Sequence, residues 1–377
     1  LWLATIRPDP FIFRIRNDRF STMSTKPRIL TGDTPTGQLH LGHWVGSLEN
    51  RVRLQDEYEC FFLIANMHAF TTRADKPDEI RRSTIDIVKD WIACGIDPER
   101  STFVLQTEIP GIVELSWYLA MLLPFNRVMR NPTLKTELED KGLGDTYSFG
   151  FPMYTVGQCA DILIFRPELV PVGEDQLAHI EPCREVARRF NQIYCGVDPH
   201  TEDDDYVKAG GLFPIPEGKV GRVARLVGTD GKLKMSKSLN NAIFLTDTYK
   251  KIKKKMGGLY TGRQTMDEPG DIHNALFEYV RAFIANDERI QELEEAYSKG
   301  DNIGDGHIKV EVAEHIDKLL EPMRERRIPF EGEEGDRKVL EILREHTRQA
   351  NNAAEETLYL AKQAMKLDFG KRTLLFE

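Results

Sequence analysis

The sequence predicts an α/β fold, a doubly wound parallel sheet followed by an α-helical domain. Three observations carry that expectation. Unbroken apolar runs, such as residues 60–64, mark strands covered on both faces, as strands of a parallel sheet are. Strands alternate with glycine-bearing loops and amphipathic helices up to about residue 234. Beyond that point the strand pattern fades, and helical periodicity with charged outer faces takes over.

Ile29, Leu30 and Thr31 read as the first strand, 32–37 as a loop, and Leu41 as the start of a helix. The second strand is 60–64. Asp78 caps a helix that carries Ile85, Val88, Trp91 and Ile92 and stops at Gly95. Strands at 102–106 and 170–172 follow. Helices are expected over 279–297, 308–327 and 337–367, with a polar break at 329–335. The last has Leu340, Leu343, Ala350, Ala354, Leu358 and Ala361 among its apolar positions. The expected units are 28–245, 246–344, and a final helical segment, 345–377, that packs back on the first. Residues 1–27 carry Arg7, Arg14, Arg16 and Arg19 without periodicity, and Asp9 and Asp18 argue against a transit peptide. They read as a disordered or loosely attached extension, and Met23 resembles a natural start.

Composition excludes several classes. A hydrophobic fraction of 41% and a charged fraction of 29% are those of an ordinary globular protein. No apolar run approaches the roughly 18 residues of a membrane helix, so no membrane span is read. Five cysteines, an odd number without a C-x-x-C pair, argue against a disulfide framework or zinc ribbon and favour a reducing cytoplasm. No protein-held metal site is read. The net charge of -9 argues against a general nucleic-acid coat protein, while leaving room for one basic docking stripe.

Two motifs carry chemistry. His40, Gly42 and His43 end a loop between the first strand and first helix, where an open α/β sheet binds nucleotides. Gly32 and Gly37 let backbone approach a ligand, and the helix N-terminus offers N–H groups to phosphate. Two histidines three apart share a helical face and can donate hydrogen bonds to a phosphoryl group. Alone, such a pair is more often a solvated cap. Far downstream, Gly231 leads a basic loop containing Lys234, Met235, Ser236, Lys237 and Ser238. Its lysines can neutralise a departing pyrophosphate. A basic loop is usually only solvated, and it is the pairing with the upstream histidines that favours function.

Together the two motifs look like those of class I aminoacyl-tRNA synthetases. From about Arg28 onward the chain resembles tryptophanyl-tRNA synthetases of a divergent bacterial type, with further matches at 95–98, 160–163, 171–181 and 187–191. The resemblance implies a Rossmann-type catalytic domain and an α-helical anticodon-binding domain. It implies activation of L-tryptophan with ATP, Mg2+ being carried with the ATP, transfer to tRNA, and a homodimer. By similarity, Asp33, Thr34, Pro35, Thr36, Gly42, His43, Gly173, Glu174, Asp175 and Val223 contact ATP, as does the loop from Lys234 to Ser238. Asp175 at a helix start can also accept ribose hydroxyl protons, although acidic capping would explain Glu174 and Asp175 equally. His40 and His43 would stabilise the pentacovalent phosphorus, and Lys234, Lys237 and Lys135 the pyrophosphate. Asp161 would accept the indole N–H, Tyr154 and Gln176 would hold the ammonium and carboxylate, and Leu30, His68, Gln158, Val170 and Val172 would complete the pocket.

The chain departs from its relatives at three of these positions. They usually have asparagine at His43, methionine at Gln158 and phenylalanine at Leu30. Tyr154, Gln158 and Asp161 reproduce the spacing by which tyrosyl-tRNA synthetases hold tyrosine, which keeps tyrosine as the alternative substrate. A synthetase-like protein that binds tryptophan or a partner and charges tRNA weakly is a third reading. Lys250, Lys251, Lys253, Lys254 and Lys255 form the densest basic run, either a solvated face or a contact to the tRNA backbone.

Overall fold

The computed structural model describes residues 26–369, apart from 141, 143, 145, 174–176, 222, 224, 225, 238, 264 and 302. The extension expected before residue 28 therefore falls, for residues 1–25, outside the described residues. So does the end of the final segment, from 370.

Strands β1 (Arg28–Asp33), β2 (Glu59–Ile64), β3 (Ser101–Leu105), β4 (Leu169–Val172) and β5 (Glu217–Val220) form one parallel sheet in the order β3-β2-β1-β4-β5. The chain winds outward from β1 to β3 and then reverses to enter β4. A crevice consequently opens between the carboxyl ends of β1 and β4. The pairing is uneven at that point. β1 and β2 are in register from Arg28↔Glu59 to Asp33↔Ile64, whereas β1 and β4 share only Ile29↔Leu169. Pro171 has no N–H to give, and the Thr31 hydroxyl instead donates to its carbonyl at 2.5 Å. Gly32 is required by the sheet itself. A Cβ there would lie 2.2 Å from the Leu63 carbonyl oxygen of β2.

β1 leads into α1 (Leu41–His43), a π-helical segment Trp44–Leu48 and α2 (Glu49–Leu54). After β2 come α3 (Asn66–Arg73) and α4 (Pro77–Cys94). The latter ends at Gly95, whose φ of 101° is left-handed and suits a residue without Cβ. Between β3 and β4 lie α5 (Pro110–Ala120), α6 (Phe125–Met129), α7 (Pro132–Asp140) and α8 (Gly150–Leu163), and α9 (Leu177–Tyr194) joins β4 to β5. Strand alternation divides the sheet residues between two cores. Ile29, Phe62, Ile64 and Phe103 join one, and Leu30, Phe61, Leu63 and Val104 the other.

The rest is helical: α10 (Tyr249–Gly257), α11 (Ala275–Phe283), α12 (Asp287–Lys299), α13 (Asp305–Arg327) and α14 (Gly332–Ala364). The single helix expected over 279–297 is two. Ile284 is extended, and Asn286 starts α12 by accepting the Arg289 N–H at 3.0 Å. The first core continues from the sheet into α10, α11 and α13 through Ile252, Met256, Phe277, Val280 and Ile316. α14 returns along the sheet and meets the edge of β3. The Phe103 N–H donates to His346 Nδ1 at 3.2 Å, and the Leu105 N–H to Thr347 Oγ1 at 3.1 Å. An edge that would otherwise be open for pairing is thereby covered. Among the described residues no helix is long and apolar enough to cross a membrane.

Candidate active site

The crevice is built outward from Asp33, the last residue of β1. Its carboxylate points inward. Oδ2 accepts from Arg51 Nη1 at 2.6 Å and from Trp91 Nε1 at 2.8 Å, and Oδ1 accepts from Arg51 Nη2 at 3.2 Å. Burial alone would raise its pKa, but the Arg51 charge and these hydrogen bonds bring it below the usual carboxylate value. The side chain expected to contact ATP is therefore occupied by the protein, and the Asp33 carbonyl accepts the Ala65 N–H at 3.0 Å.

From this anchor the loop 34–39 runs to His40, which caps α1 in an extended conformation. The His40 N–H donates to His43 Nδ1 at 3.1 Å, and the two ring centroids lie 3.8 Å apart. His43 must therefore carry its proton on Nε2. Burial, aided by the Lys237 charge, holds His43 down at about 4; burial and the neighbouring His43 push His40 lower still. Both rings are neutral at pH 7. Nδ1 of His40 is buried without a hydrogen-bond partner.

The downstream lysine loop closes on this segment. Lys237 Nζ donates to the Gly37 carbonyl at 2.9 Å and to Thr36 Oγ1 at 3.3 Å. Burial brings the Lys237 ammonium down to about 8. Met235 sits in the apolar core at 2% exposure and its N–H donates to the Leu226 carbonyl at 3.0 Å, so side chain and N–H both anchor the loop. Lys234 is exposed, Ser236 half-buried, and Val223 packs at the core margin. Ser238, Glu174, Asp175 and Gln176 lie outside the described residues.

On the other side of the sheet, α8 brings Asp161 to the ends of β2 and β3. Gln106, just past β3, donates from Nε2 to both Asp161 oxygens, at 2.8 and 3.0 Å. Its Oε1 accepts the N–H groups of Met67 and His68, and His68 Nδ1 stands 3.6 Å from Asp161. Burial raises the Asp161 carboxyl to about 7 against the lowering effect of Gln106, and burial lowers His68 to about 4. Sequence reading missed Gln106. A polar residue closing an otherwise apolar strand was the available signal.

Tyr154, two turns before Asp161, donates its hydroxyl to Glu137 Oε2 at 3.0 Å and lies 3.4 Å from His179 Nε2. Asn131 Nδ2 is 3.3 Å from His179 Nδ1. The chain of bonds is self-consistent with a proton on His179 Nε2. Gln158 is half-buried and its side chain has no hydrogen-bond partner among the described residues, so its amide is available to a ligand. Leu30, Val170 and Val172 are buried in the second core. Lys135 is exposed on α7, two residues from Glu137. Gly173 is half-buried just past β4.

The expected basic run divides on α10. Lys250, Lys251, Lys253 and Lys254 are exposed, while Lys255 turns inward to Asp247 at 2.5 Å and the Ala242 carbonyl at 2.7 Å. Lys255 thus acts as an internal cation and is withdrawn from the surface set. Among the described residues no cluster of His, Cys, Asp and Glu could hold a metal ion.

A parallel sheet with a nucleotide crevice at its switch point, neutral histidines at one helix start and a lysine loop closing over them define a nucleotidyl-transfer site. The model for class I tRNA synthetases of the tryptophan and tyrosine type matches residues 22–321, and the chain belongs to that family. It is 41% identical over 354 residues to the tryptophan–tRNA ligase of Lactococcus lactis subsp. lactis (strain IL1403), spanning 92% of this chain and all of that one. It is likewise 41% identical over 355 residues to the enzyme of the same name from Streptococcus agalactiae serotype V, with coverage of 92% and 100%. Among solved structures, the tryptophanyl-tRNA synthetase of Campylobacter jejuni complexed with ADP and tryptophan superposes with a TM-score of 0.74 at 30% identity, over 90% of this chain and all of that one.

The Gln106–Asp161 pair gives a test independent of substrate. Gln106→Leu removes both donors from a buried carboxyl and is expected to cost about 1–3 kcal/mol of folding stability. Because the Asp161 pKa in the fold lies above its unfolded value, its contribution is full at low pH and is lost as pH rises toward about 7. Without Gln106 that loss continues to higher pH. Denaturant unfolding should therefore show a larger deficit at pH 8 than at pH 6, and an unchanged stability would contradict the pairing.

Proposed function

We propose that this chain activates L-tryptophan with ATP and transfers it to tRNA, as a tryptophan–tRNA ligase. The observation that carries the reading is the closure of Lys237 on the loop that leads into the His40–His43 pair. It joins two motifs about 200 residues apart at one crevice. The names of the 41%-identical relatives support tryptophan over tyrosine.

In the first step a tryptophan carboxylate oxygen bonds to the α-phosphorus of ATP. The bond from that phosphorus to the bridging oxygen breaks, and its electron pair leaves with pyrophosphate. With Nδ1 occupied by the His40 N–H, His43 can donate only through Nε2. A neutral imidazole there stabilises charge on the phosphoryl oxygens by hydrogen bonding, without proton transfer. Lys234 and Lys237 receive the pyrophosphate, and Mg2+ enters as part of the ATP substrate. In the second step a terminal ribose hydroxyl of tRNA attacks the adenylate carbonyl carbon, and AMP departs.

Asp161 is the acceptor for the indole N–H, held ready by Gln106. Tyr154, oriented by Glu137 and His179, holds the amino acid's ammonium and carboxylate together with Gln176, and Gln158 faces the ring. Thr34, Thr36, Gly42, Gly173 and Asp175 hold ATP. The exposed face of α10 carrying Lys250, Lys251, Lys253 and Lys254 meets the tRNA backbone, and residues 246–344 read the anticodon. Five free cysteines suit a reducing cytoplasm. The partner subunit docks on α5 and the residue that follows it, where Val113, Trp117 and Met121 lie four apart and are 53%, 61% and 70% exposed. Val113 and Trp117 line a cavity of about 930 Å³ that reaches His68, Gln106 and Tyr154.

Three outcomes are expected. Pyrophosphate exchange into ATP should depend on tryptophan and not on tyrosine, and Asp161→Ala should lose about 2–4 kcal/mol of transition-state stabilisation with a raised tryptophan KM. Exchange driven by tyrosine would transfer the assignment to that amino acid, and unchanged exchange in Asp161→Ala would remove the role of this residue.

The second concerns Lys237, whose ammonium is lost in the free enzyme above about pH 8. ATP needs the charged form, so binding takes up a proton there and should weaken as pH rises from 8 to 9.5. Titration calorimetry in buffers of different ionisation enthalpy reads that uptake directly. Lys237→Arg, which stays charged, should flatten the dependence. Pronounced and equal weakening in both proteins would contradict the assignment.

Third, wild type should sediment as a dimer and Trp117→Asp as a monomer at micromolar concentration. A variant that remains dimeric would place the subunit contact elsewhere.

A further inference from the structure

Asp90 belongs to none of the ligand sets above, yet it touches the segment that carries the histidines. It lies on α4 at 1% exposure and divides its carboxylate between two elements. Oδ2 accepts the Leu39 N–H at 3.0 Å, and Oδ1 accepts from Arg327 Nη1 at 2.6 Å. Leu39 immediately precedes His40. Its carbonyl accepts the Leu245 N–H at 3.1 Å, and the Leu41 N–H donates to the Ile243 carbonyl at 2.9 Å. The entry to α1 is thus suspended between the chain that follows the lysine loop and a single buried carboxylate.

Arg327 ends α13 and is itself 7% exposed. Its Nε pairs with Glu331 at 2.8 Å, and its Nη2 stands 3.6 Å from Asp86. One turn of α4 away from Asp86, the fully buried Lys89 pairs with Asp336 of α14 at 2.5 Å. A carboxylate this deep stays charged and in place only while a cation and a donor meet it. Without the guanidinium, Asp90 would take up a proton or turn away, and the Leu39 N–H would lose its acceptor. Shifts of about 1 Å at a reacting centre can cost on the order of a hundredfold in rate.

We propose that Asp90 is a positioning residue for adenylate formation, and that Arg327 holds it in place so that the helical layer sets where His40 and His43 stand. The proposal rests on the reading that these histidines act on ATP. It predicts an effect on the chemical step from a residue that touches no substrate.

The test is single-turnover adenylate formation at saturating ATP and tryptophan, with the tryptophan Kd and Tm measured alongside, on the full chain. Arg327→Gln is expected to slow the step at least tenfold while the tryptophan Kd stays within twofold, because the Asp161 pocket lies on the other face of the sheet. Arg327→Lys should recover part of the rate. Asp90→Asn combined with Arg327→Gln should be faster than Arg327→Gln alone, since the asparagine oxygen can still accept the Leu39 N–H and no unpaired charge is buried. This neutral pair also keeps the test open if Arg327→Gln does not fold. Lys338→Gln, which removes only an exposed pair with Glu334 on α14, should leave the rate unchanged. If Asp90→Asn, Arg327→Gln and the double variant all stay within twofold of wild type, or if rate and tryptophan binding fall together, the proposal is overturned. Absence of tryptophan-dependent adenylate in wild type would instead overturn the functional reading itself.

Discussion

A charge buried at the end of the first strand governs the geometry of this molecule. Asp33 closes β1 inside the protein, where an unpaired carboxylate would cost several kcal/mol. Arg51 from α2 and Trp91 from α4 meet it together. Three elements distant in sequence are thereby tied to the point from which the nucleotide loop departs. The loop then has a fixed origin, His40 a fixed helix to cap, and Lys237 a fixed surface on which to close. The short β1–β4 pairing beside Pro171 supplies the opening, so the same strand end provides both the crevice and its rigid wall.

The electrostatics of the crevice follow from burial more than from pairing. Desolvation is the largest influence on His40, His43, His68, Asp161 and Lys237, and in each it favours the uncharged form. A pocket that holds its own groups close to neutrality is poised to be charged by its ligand. In the proposed reaction, ATP would bring the anionic charge that Lys237 can answer, and the indole N–H the donor that an ionised Asp161 can answer. Cys60, Cys94 and Cys183 play no part in this, since burial pushes their thiols up and away from the reactive thiolate.

Much of the fold was legible because its periodicities are strong. The run 60–64, the helix closed by Gly95 and the long apolar stripe of α14 each repeat one signal over many residues. β5 escaped notice because Glu217, Gly218, Lys219 and Val220 form an edge strand with exposed, polar positions that resemble a loop. The break inside 279–297 was hidden because one extended residue hardly disturbs a helical pattern. At the site, the fold brings the two sequence motifs together, but the motifs did not show the direction of every side chain. Asp33 and Met235 lie in the motifs and point inward, and Lys255 belongs to a lysine run yet serves Asp247. Gln106 and Asp90 matter through partners 55 and 51 positions away, and only folding brings such pairs together.

The central claim is that one crevice joins tryptophan to ATP and then to tRNA. The most direct measurement is acylation of total tRNA by the purified protein with labelled tryptophan, run in competition with a large excess of unlabelled tyrosine. The account predicts that label accumulates on tRNA, depends on ATP and is undiminished by tyrosine. Label lost to tyrosine competition, or adenylate formed from tryptophan with no transfer to any tRNA, would contradict it.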